Sequence, residues 1–300
     1  AGMVIYHHLF PLSGRAPATF FAADYGALGV GVFFVISGYL VCGSLRRSAT
    51  LGDYLKKRLL RIEPALIVSL LITALVFGAF ATTLPLRDYF ASPQVWLYVA
   101  RNALLYPVDY ALPGVFEANP FPAVVNGSLW TLRLEFSGYL ALAGLAAIKL
   151  LRPGVVGVLT LLAGAAMAAL HVIWPAQAGW LRLADVAVLN GYLFLAGVWL
   201  NLRGAPLPWW TLAVGAPLLA TPLWALGLPA VVLAAAHAPA PKPPADISYG
   251  LYIYAFPLQQ ILAAHGALTL WASLAVTAPF AVASWFLVEK PALRLKLGAG

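Results

Sequence analysis

Long apolar stretches constrain the fold of this chain more than any other feature of its sequence. The runs at 62–80, 129–148 and 271–288 contain few charged residues. Each run approaches or reaches the roughly 20 residues with which a helix crosses about 30 Å of hydrocarbon. Backbone groups within lipid must be paired inside the spanning structure, so such runs form helices or a closed barrel. Because the runs lack the apolar–polar alternation of barrel strands, the sequence predicts an all-α integral membrane protein.

The composition supports a membrane protein and argues against other classes. Hydrophobic residues make up 62% of the chain and charged residues 9%, whereas a soluble domain carries about a quarter charged residues. One cysteine, Cys42, excludes an internal disulfide framework and a cysteine-cluster metal site. The net charge of +8 is compatible with nucleic-acid binding, but the basic residues lie in short loops and at helix ends. We therefore interpret them as topology signals and expect no nucleic-acid partner.

Charge clusters and Pro or Gly breaks divide the chain into about ten candidate transmembrane helices in one bundle. The candidates lie at 1–12, 25–45, 62–82, 129–149, 154–173, 184–201, 207–220, 222–237, 247–265 and 268–288. The stretch 93–106 is rich in aromatic residues around Arg101 and predicts an interfacial helix. The first candidate is too short to cross a bilayer, so we expect the first helix to be truncated at its N-terminus. Residues 1–300 are expected to form a single transmembrane domain.

The orientation of the chain follows from its basic residues, because Lys and Arg concentrate in cytoplasmic loops. A cluster lies in the stretch 45–61 and consists of Arg46, Arg47, Lys56, Lys57, Arg58 and Arg61. If this stretch is cytoplasmic, the alternation of spans also places most other basic residues there, namely Lys149, Arg152, Arg203, Lys242, Lys290, Arg294 and Lys296. This pattern predicts a multi-pass protein with cytoplasmic N- and C-termini.

Two adjacent histidines lie near the outer end of the first candidate span, at His7 and His8. An ionisable residue at membrane depth is energetically costly, so each is a functional hypothesis. Histidine titrates near neutral pH and can act as a general base. Adjacent side chains on a helix point about 100° apart, so we expect at most one of them to face a given site. The alternative is an interfacial histidine that faces lipid headgroups.

A carboxylate, Glu135, lies about two turns into the fourth span. The preceding Asn126-Gly127-Ser128 supplies a helix N-cap. Spacings of three and four residues place Ser128, Thr131 and Glu135 on one helix face, while Arg133 points elsewhere. Glu135 is either part of a structural pair with an arginine of another helix, or a functional carboxylate that orients a histidine or holds an acceptor hydroxyl.

Two further groups of polar residues fall on helices. Arg58 and Arg61 share a helix face with Tyr54 one turn earlier, and arginine binds phosphate oxygens in bidentate fashion. Arginines are common in cytoplasmic loops in any case, so topology alone can explain them. The ninth span is unusually polar and contains Ser248, Tyr249, Tyr252, Tyr254, Gln259 and Gln260. In the second span, the small residues Gly31, Ser37 and Gly38 predict close helix packing.

Five segments, in order, resemble the acyltransferase family 3 membrane proteins, the family of bacterial sugar O-acetyltransferases. They are GVGVFFVISGYL at 29–40, RLLRIEP at 58–64, SLWTLRLE at 128–135, ISYGLY at 247–252 followed by Phe256-Pro257, and VEKP at 288–291. They span nearly the whole chain.

The resemblance implies roles for individual residues. The family histidine precedes an aromatic-Pro-Leu-Ser-Gly-like stretch, and matching it to 10–14 favours His8, whereas a Tyr-His match favours His7. A family arginine that pairs with this histidine would lie before residue 1. The family's Arg-x-x-Arg, which handles the acyl-CoA donor, maps onto Arg58 and Arg61. Many members have a histidine where this chain has Ala255, so no role for a second histidine can be carried over.

The activity that the resemblance implies is transfer of an acyl group, most simply acetyl, from cytoplasmic acyl-CoA to a sugar hydroxyl. The acceptor would be an extracytoplasmic or lipid-linked glycan at the bacterial inner membrane, and no metal is expected. His8 would remove the hydroxyl proton, and Glu135 would position the histidine or the acceptor. Candidates for acceptor binding are Trp130, Arg133, Ser248, Tyr249 and Tyr252. The alternative is a transporter or flippase of a lipid-linked sugar, because intramembrane His, Glu and Arg side chains serve such pathways equally well.

Overall fold

The computed structural model describes residues 1–173, 180–205, 207–236 and 245–295, with side chains described for all of these except 171–173 and 180–183. This part of the chain is mostly helical. The helices are α1 (Gly2–His8), α2 (Tyr25–Arg46), α3 (Leu51–Ile72), α4 (Gly78–Ala81), α5 (Leu86–Ala91), α6 (Pro93–Ala103), α7 (Leu129–Ala147), α8 (Pro153–Ile173), α9 (Trp180–Arg203), α10 (Trp210–Leu218), α11 (Trp224–Ala236), α12 (Ser248–Ala264), α13 (Leu270–Ser284) and α14 (Lys290–Arg294). A 3₁₀ turn covers Pro11–Ser13, and π-helical turns cover Thr73–Phe77 and Trp285–Glu289. The strands β1 (Thr19–Phe20) and β2 (Ala23–Asp24) pair in antiparallel fashion.

Five helical stretches of the described chain are long and apolar enough to cross a membrane. They are Tyr25–Arg46, Leu51–Ala81, Pro153–Leu170, Ala184–Arg203 and Leu270–Arg294. The prediction of a helical membrane protein is therefore confirmed. The count of about ten spans and the cytoplasmic termini stay predictions, and two residues used for the orientation, Lys242 and Lys296, lie outside the described residues. His237, the last residue of the predicted span 222–237, also lies outside the described residues.

The connection between the second and third spans is shorter than the predicted stretch 45–61. Helix α2 ends at Arg46 and α3 begins at Leu51, so Lys56, Arg58 and Arg61 lie on a helix rather than in a loop. The hydroxyl of Thr50 accepts a hydrogen bond from the backbone N–H of Asp53 at 3.0 Å. This side-chain acceptor satisfies a backbone donor of the first turn, and it allows the helix to begin before its apolar segment.

The chain forms two compact units. The first contains Ala1–Ala18, Lys56–Arg133 and the described residues from 245 onward. In this unit α12 packs against α13, and α1 contacts both helices. A Cβ at Gly250 would lie 2.7 Å from the Cα of Ala281, so a larger residue at 250 would force α12 and α13 apart.

The long loop between α6 and α7 is held against α12 by side-chain amides. Gln260 Nε2 donates to the carbonyls of Phe121 and Val124 at 2.8 and 2.7 Å. Asn119 Nδ2 donates to Gln260 Oε1 at 2.7 Å, and Asn126 Nδ2 donates to the carbonyl of Ile253 at 2.9 Å. Buried amides that satisfy backbone carbonyls give an irregular segment a defined conformation.

The second unit contains Thr19–Leu55 and the described part of 134–242. Here α2 packs along α9, α9 packs on α8, and α10 packs on α11. The backbones of α2 and α9 touch, because a Cβ at Gly38 would overlap the Phe194 carbonyl oxygen and a Cβ at Gly197 would overlap the Val35 carbonyl oxygen. The prediction that Gly38 allows close helix approach is confirmed, and Gly31 likewise faces Leu228 and Leu193.

Candidate active site

His8 is the last residue of α1 and is buried, with 9% of its surface exposed. Its Nδ1 lies 3.2 Å from Oε1 of Gln259, a fully buried residue of α12. The ring of Phe256, one turn earlier on α12, meets the imidazole edge to face at a centroid distance of 4.9 Å. The imidazole is thus held by one hydrogen bond and one aromatic contact from the same helix.

The neighbouring His7 is half-buried, and the two imidazole centroids lie 6.0 Å apart. The rings point in different directions, as expected for adjacent helical residues. Of the two, His8 has the buried polar partner on α12.

Phe256 also links His8 to the loop between α6 and α7. Its ring contacts Phe121 at a centroid distance of 6.1 Å. A Cβ at Gly127 would lie 2.5 Å from Phe256 Cε2, so the absence of a side chain at 127 leaves room for this ring. The loop and α12 together therefore define the surroundings of the imidazole.

Arg61 forms a network with two carboxylates. Its Nη1 lies 3.0 Å from Glu289 Oε2, and its Nη2 lies 2.8 Å from Asp246 Oδ2. Glu289 is almost fully buried and also accepts a hydrogen bond from Ser284 Oγ at 2.9 Å. The Arg61 side chain is 25% exposed, and its guanidinium lies over the Tyr249 ring at 5.8 Å. The sequence did not identify Asp246 or Glu289 as partners of Arg61, because both are distant in sequence and neither follows a helical spacing from Arg61, although Glu289 belongs to the VEKP segment.

Arg58 and Tyr54, the other residues predicted to bind the acyl-CoA donor, lie near the start of α3. Arg58 is half-buried one turn before Arg61. Tyr54 belongs to the second unit, is completely buried, and donates its hydroxyl hydrogen to the Tyr139 carbonyl at 3.2 Å. This phenol therefore has a packing role that the sequence did not predict.

The polar residues of α12 separate into two groups. At the helix start, Ser248 Oγ donates to Asp246 Oδ1, and Tyr249 donates its hydroxyl hydrogen to the Ile62 carbonyl at 3.2 Å. One turn further, the Tyr252 hydroxyl meets Thr131 Oγ1 and the Ser128 carbonyl. The structure thus brings Ser248 and Tyr249 next to the Arg61 network, and Tyr252 next to the first turn of α7.

Trp130 and Arg133 lie in the first turn and a half of α7, and both are half-buried. The Arg133 guanidinium lies over the Tyr106 ring at 5.9 Å, and the Tyr106 hydroxyl donates to the Arg133 carbonyl at 3.2 Å. Burial raises the pKa of Tyr110 in the same loop, and the positive charge of Arg133 opposes that rise. Arg133 is therefore part of an aromatic and cationic cluster that borders the loop.

Glu135 belongs to the second unit and is buried on α7. Its Oε1 accepts hydrogen bonds from the Tyr139 hydroxyl and from Ser37 Oγ, the latter at 3.3 Å. The sequence predicted only packing for Ser37, but its hydroxyl is a ligand of the carboxylate. Tyr139 lies four residues after Glu135, so helical spacing could have identified it, whereas Ser37 on α2 could not be found that way.

Among the side chains that the structure describes, no group of three or more His, Cys, Asp and Glu residues is arranged to hold a metal ion. The polar clusters described above consist instead of hydrogen-bonded amides, hydroxyls, carboxylates and arginines.

Comparisons with known proteins show the family to which the chain belongs. A family model described as an acyltransferase domain, Acyl_transf_3, matches residues 1–288. The chain is 29% identical to Nodulation protein 10 of Rhizobium leguminosarum bv. viciae over 91% of this chain and 83% of that protein. It is 35% identical to the O-acetyl transferase of Shigella phage Sf6 over 47% of this chain and 41% of that protein. No solved structure matches the chain significantly.

The chain therefore belongs to the acyltransferase 3 family, as its motifs predicted. It is an O-acyltransferase with membrane-spanning helices. The prediction of an enzyme, rather than of a transporter without chemistry, is confirmed.

Proposed function

We propose that this enzyme transfers an acetyl group from cytoplasmic acetyl-CoA to a sugar hydroxyl of an extracytoplasmic or lipid-linked glycan at the bacterial inner membrane. The observation that carries this proposal is the buried His8, hydrogen-bonded through Nδ1 to Gln259, in a chain of an acyltransferase family. An acyl transfer to a hydroxyl needs a base that works near neutral pH, and histidine meets that need. The similarity to a protein named O-acetyl transferase supports acetyl as the group transferred.

The chemistry assigned to His8 is general acid and base catalysis. The imidazole takes the proton of the acceptor hydroxyl as its oxygen attacks the thioester carbonyl carbon. The new C–O bond forms and the C–S bond breaks, so the acetyl group becomes an ester. The CoA thiolate then takes up the proton that His8 accepted, and the imidazole returns to its neutral form. The mechanism uses no metal.

We assign the donor phosphates to Arg58 and Arg61. Arginine is suited to phosphate oxygens, and the Arg61 side chain stays partly exposed while it binds Asp246 and Glu289. Helix α12 supports a separation between the phosphate-binding arginines and the base His8. Tyr249 on this helix lies beside Arg61, and Gln259 lies beside His8. These two residues lie ten positions apart on one helix, about 15 Å along its axis, a gap suited to the extended pantetheine arm of CoA.

The acceptor is assigned to the residues around the first turns of α7 and α12. Trp130, Arg133 and Tyr252 offer an aromatic face, a cation and a hydroxyl, which are groups that bind sugars. Ser248 and Tyr249, predicted from sequence as acceptor ligands, lie beside Arg61 and are assigned instead to the border of the donor site. We further propose that Glu135, with its carboxylate held by Ser37 and Tyr139, positions the acceptor hydroxyl.

The experiment that tests this proposal is acetyl transfer by the purified protein in lipid nanodiscs, with radiolabelled acetyl-CoA and a lipid-linked glycan extract. We expect label to appear in glycan with the wild type. With His8→Ala we expect a loss of kcat of about 10²-fold or more. His7→Ala is the matched control, since it removes the adjacent imidazole, and we expect activity close to wild type.

Mass spectrometry of surface glycans from cells with and without the gene identifies the acceptor. Loss of one acetyl mass from a specific sugar in cells without the gene supports the proposal. Absence of any transfer or hydrolysis of acetyl-CoA by the wild type, together with unchanged glycan masses, overturns it.

A further inference from the structure

The hydrogen bonds around His8 form a directed chain through buried residues of α12 and α13. We infer that Gln259 and Ser273 are positioning residues that hold His8 in the tautomer with the proton on Nδ1, so that Nε2 carries the lone pair of the base. This inference rests on the proposed role of His8.

The donor-to-acceptor direction of this series of hydrogen bonds is fixed at the end farthest from His8, where a backbone carbonyl accepts. Ser273 Oγ donates to the Thr269 carbonyl at 2.6 Å, so the single hydroxyl hydrogen is used there. The Ser273 oxygen then acts as acceptor for Gln259 Nε2 at 3.2 Å. A hydroxyl has one donor and two acceptor positions, so both contacts are satisfied at once.

The amide of Gln259 can adopt only one of its two orientations. Nε2 donates both to Ser273 Oγ and to the Ile5 carbonyl, the latter at 2.9 Å. If the amide were flipped, its oxygen would face the Ile5 carbonyl oxygen, and two acceptors at that distance repel each other. Both N–H groups of the amide are therefore committed, and Oε1 is the atom that faces His8.

Because Oε1 can only accept a hydrogen bond, His8 Nδ1 must donate across the 3.2 Å that separates them. A neutral imidazole has its proton on one nitrogen and its lone pair on the other. The tautomer selected by Gln259 therefore leaves Nε2 as the proton acceptor. The opposite tautomer of His8 is energetically unfavourable, since Gln259 and Ser273 are fully buried and an unsatisfied buried polar group is destabilising.

Two features distinguish Gln259 from its neighbour Gln260, whose amide holds the loop between α6 and α7. Both N–H groups of Gln260 donate to backbone carbonyls, those of Phe121 and Val124, and its Oε1 accepts from the Asn119 amide. Gln259 Nε2 instead donates one of its two hydrogens to Ser273 Oγ, whose own hydrogen is already donated to the Thr269 carbonyl. The acceptor of Gln259, Oε1, faces the buried His8.

The tautomer can be measured directly by ¹⁵N NMR of histidine-labelled protein in nanodiscs, because protonated and unprotonated ring nitrogens differ strongly in chemical shift. The chain contains 5 histidines, and the signal missing from His8→Asn identifies His8. In the wild type we expect a protonated Nδ1 and an unprotonated Nε2. In Gln259→Met, which removes the acceptor at similar length, we expect this preference to be lost.

Kinetics provide the second measurement. We expect Gln259→Met to lower kcat by about 10²-fold with KM for acetyl-CoA changed less than about twofold, because the base and not the donor site is affected. Ser273→Ala should lower kcat in the same direction by about tenfold, since Gln259 keeps its bond to Ile5. Thr277→Val is the matched control, because Thr277 is equally buried one turn along α13 and its hydroxyl makes no hydrogen bond within the described part of the chain.

The outcomes separate this inference from the proposed function. A wild-type His8 with its proton on Nε2, or an unchanged tautomer in Gln259→Met, overturns the inference whether or not the enzyme transfers acetyl. A wild type that transfers no acetyl group overturns the proposed function and leaves the NMR result to decide the tautomer. If Gln259→Met fails to fold, the pair Ser273→Ala and Thr277→Val decides, and equal kcat values in that pair overturn the inference.

Discussion

At the scale of single residues, the buried carboxylate of Glu289 makes Arg61 necessary for stability as well as a candidate for donor binding. The Glu289 side chain is 1% exposed, and Arg61 is its cationic partner in the described structure. Ser284 donates a further hydrogen bond to it. A carboxylate buried at this depth is tolerated when its charge is paired and its oxygens are hydrogen-bonded.

We predict that Arg61→Ala lowers the free energy of unfolding by about 3 kcal/mol, because it leaves the Glu289 charge buried and unpaired. The partial exposure of Arg61 and Asp246 keeps the loss at the lower end of the range for buried pairs. Unfolding in mixed micelles, followed by tryptophan fluorescence, measures this change.

The double variant Arg61→Ala with Glu289→Gln is the control for this prediction. Glutamine at 289 carries no charge and can still accept from Ser284, so the double variant should be more stable than Arg61→Ala alone. Simple additivity of the two losses would contradict an ion pair at this position.

At the scale of secondary-structure elements, glycines decide how closely the helices of the second unit approach. Gly38 on α2 and Gly197 on α9 each face a backbone carbonyl of the other helix, Phe194 and Val35 respectively. Small residues at such crossings let backbones touch, and in lipid this packing is a main source of helix association. Gly191, on the same helix α9, faces open space.

We predict that Gly197→Ala and Gly191→Ala have opposite effects on stability. The added methyl at 197 overlaps the α2 backbone, and overpacking of this kind costs about 1–3 kcal/mol. At 191 the methyl meets nothing, and the higher helix propensity of alanine should be neutral or stabilising by up to about 1 kcal/mol. Thermal unfolding of the purified variants in one detergent compares them, and equal melting temperatures would show that the crossing tolerates a side chain.

At the scale of the whole molecule, the long apolar helices place large hydrophobic side chains on the outside of the protein. Examples are Phe80, Leu161, Trp271 and Leu287, each at least 70% exposed. In water such a surface would drive aggregation, whereas in a bilayer it faces lipid tails. The lipid-facing surface and the clusters of Lys and Arg together define a topology that can be tested.

We predict that the connection between α2 and α3 is cytoplasmic and that α6 lies on the opposite side of the membrane. In a Cys42→Ala background, Ala49→Cys and Gln94→Cys place a single thiol at an exposed position in each region. A membrane-impermeant maleimide should label Gln94→Cys in intact cells and Ala49→Cys only after permeabilisation. The reverse pattern would show that the charge-based orientation is wrong.

The sequence by itself determined the class of the protein, because hydrophobicity is a local property and a run of about 20 apolar residues has few alternatives to a helix in lipid. It also singled out candidate residues, since His8 and Glu135 are costly inside a membrane and therefore conspicuous, while Arg61 belongs to a motif of the family that the chain resembles. Its ordered motifs were sufficient to predict the family.

Only the tertiary structure decided the partners of these residues. Gln259 lies 251 positions from His8, Glu289 lies 228 positions from Arg61, and Ser37 lies 98 positions from Glu135. Spacing along one helix relates residues three or four positions apart, as it does for Tyr139 and Glu135. A partner on another helix depends on how both helices are rotated and packed, which no local pattern records. For this reason the sequence singled out His7 and His8 as candidates, and the fold was needed to place Gln259 beside His8.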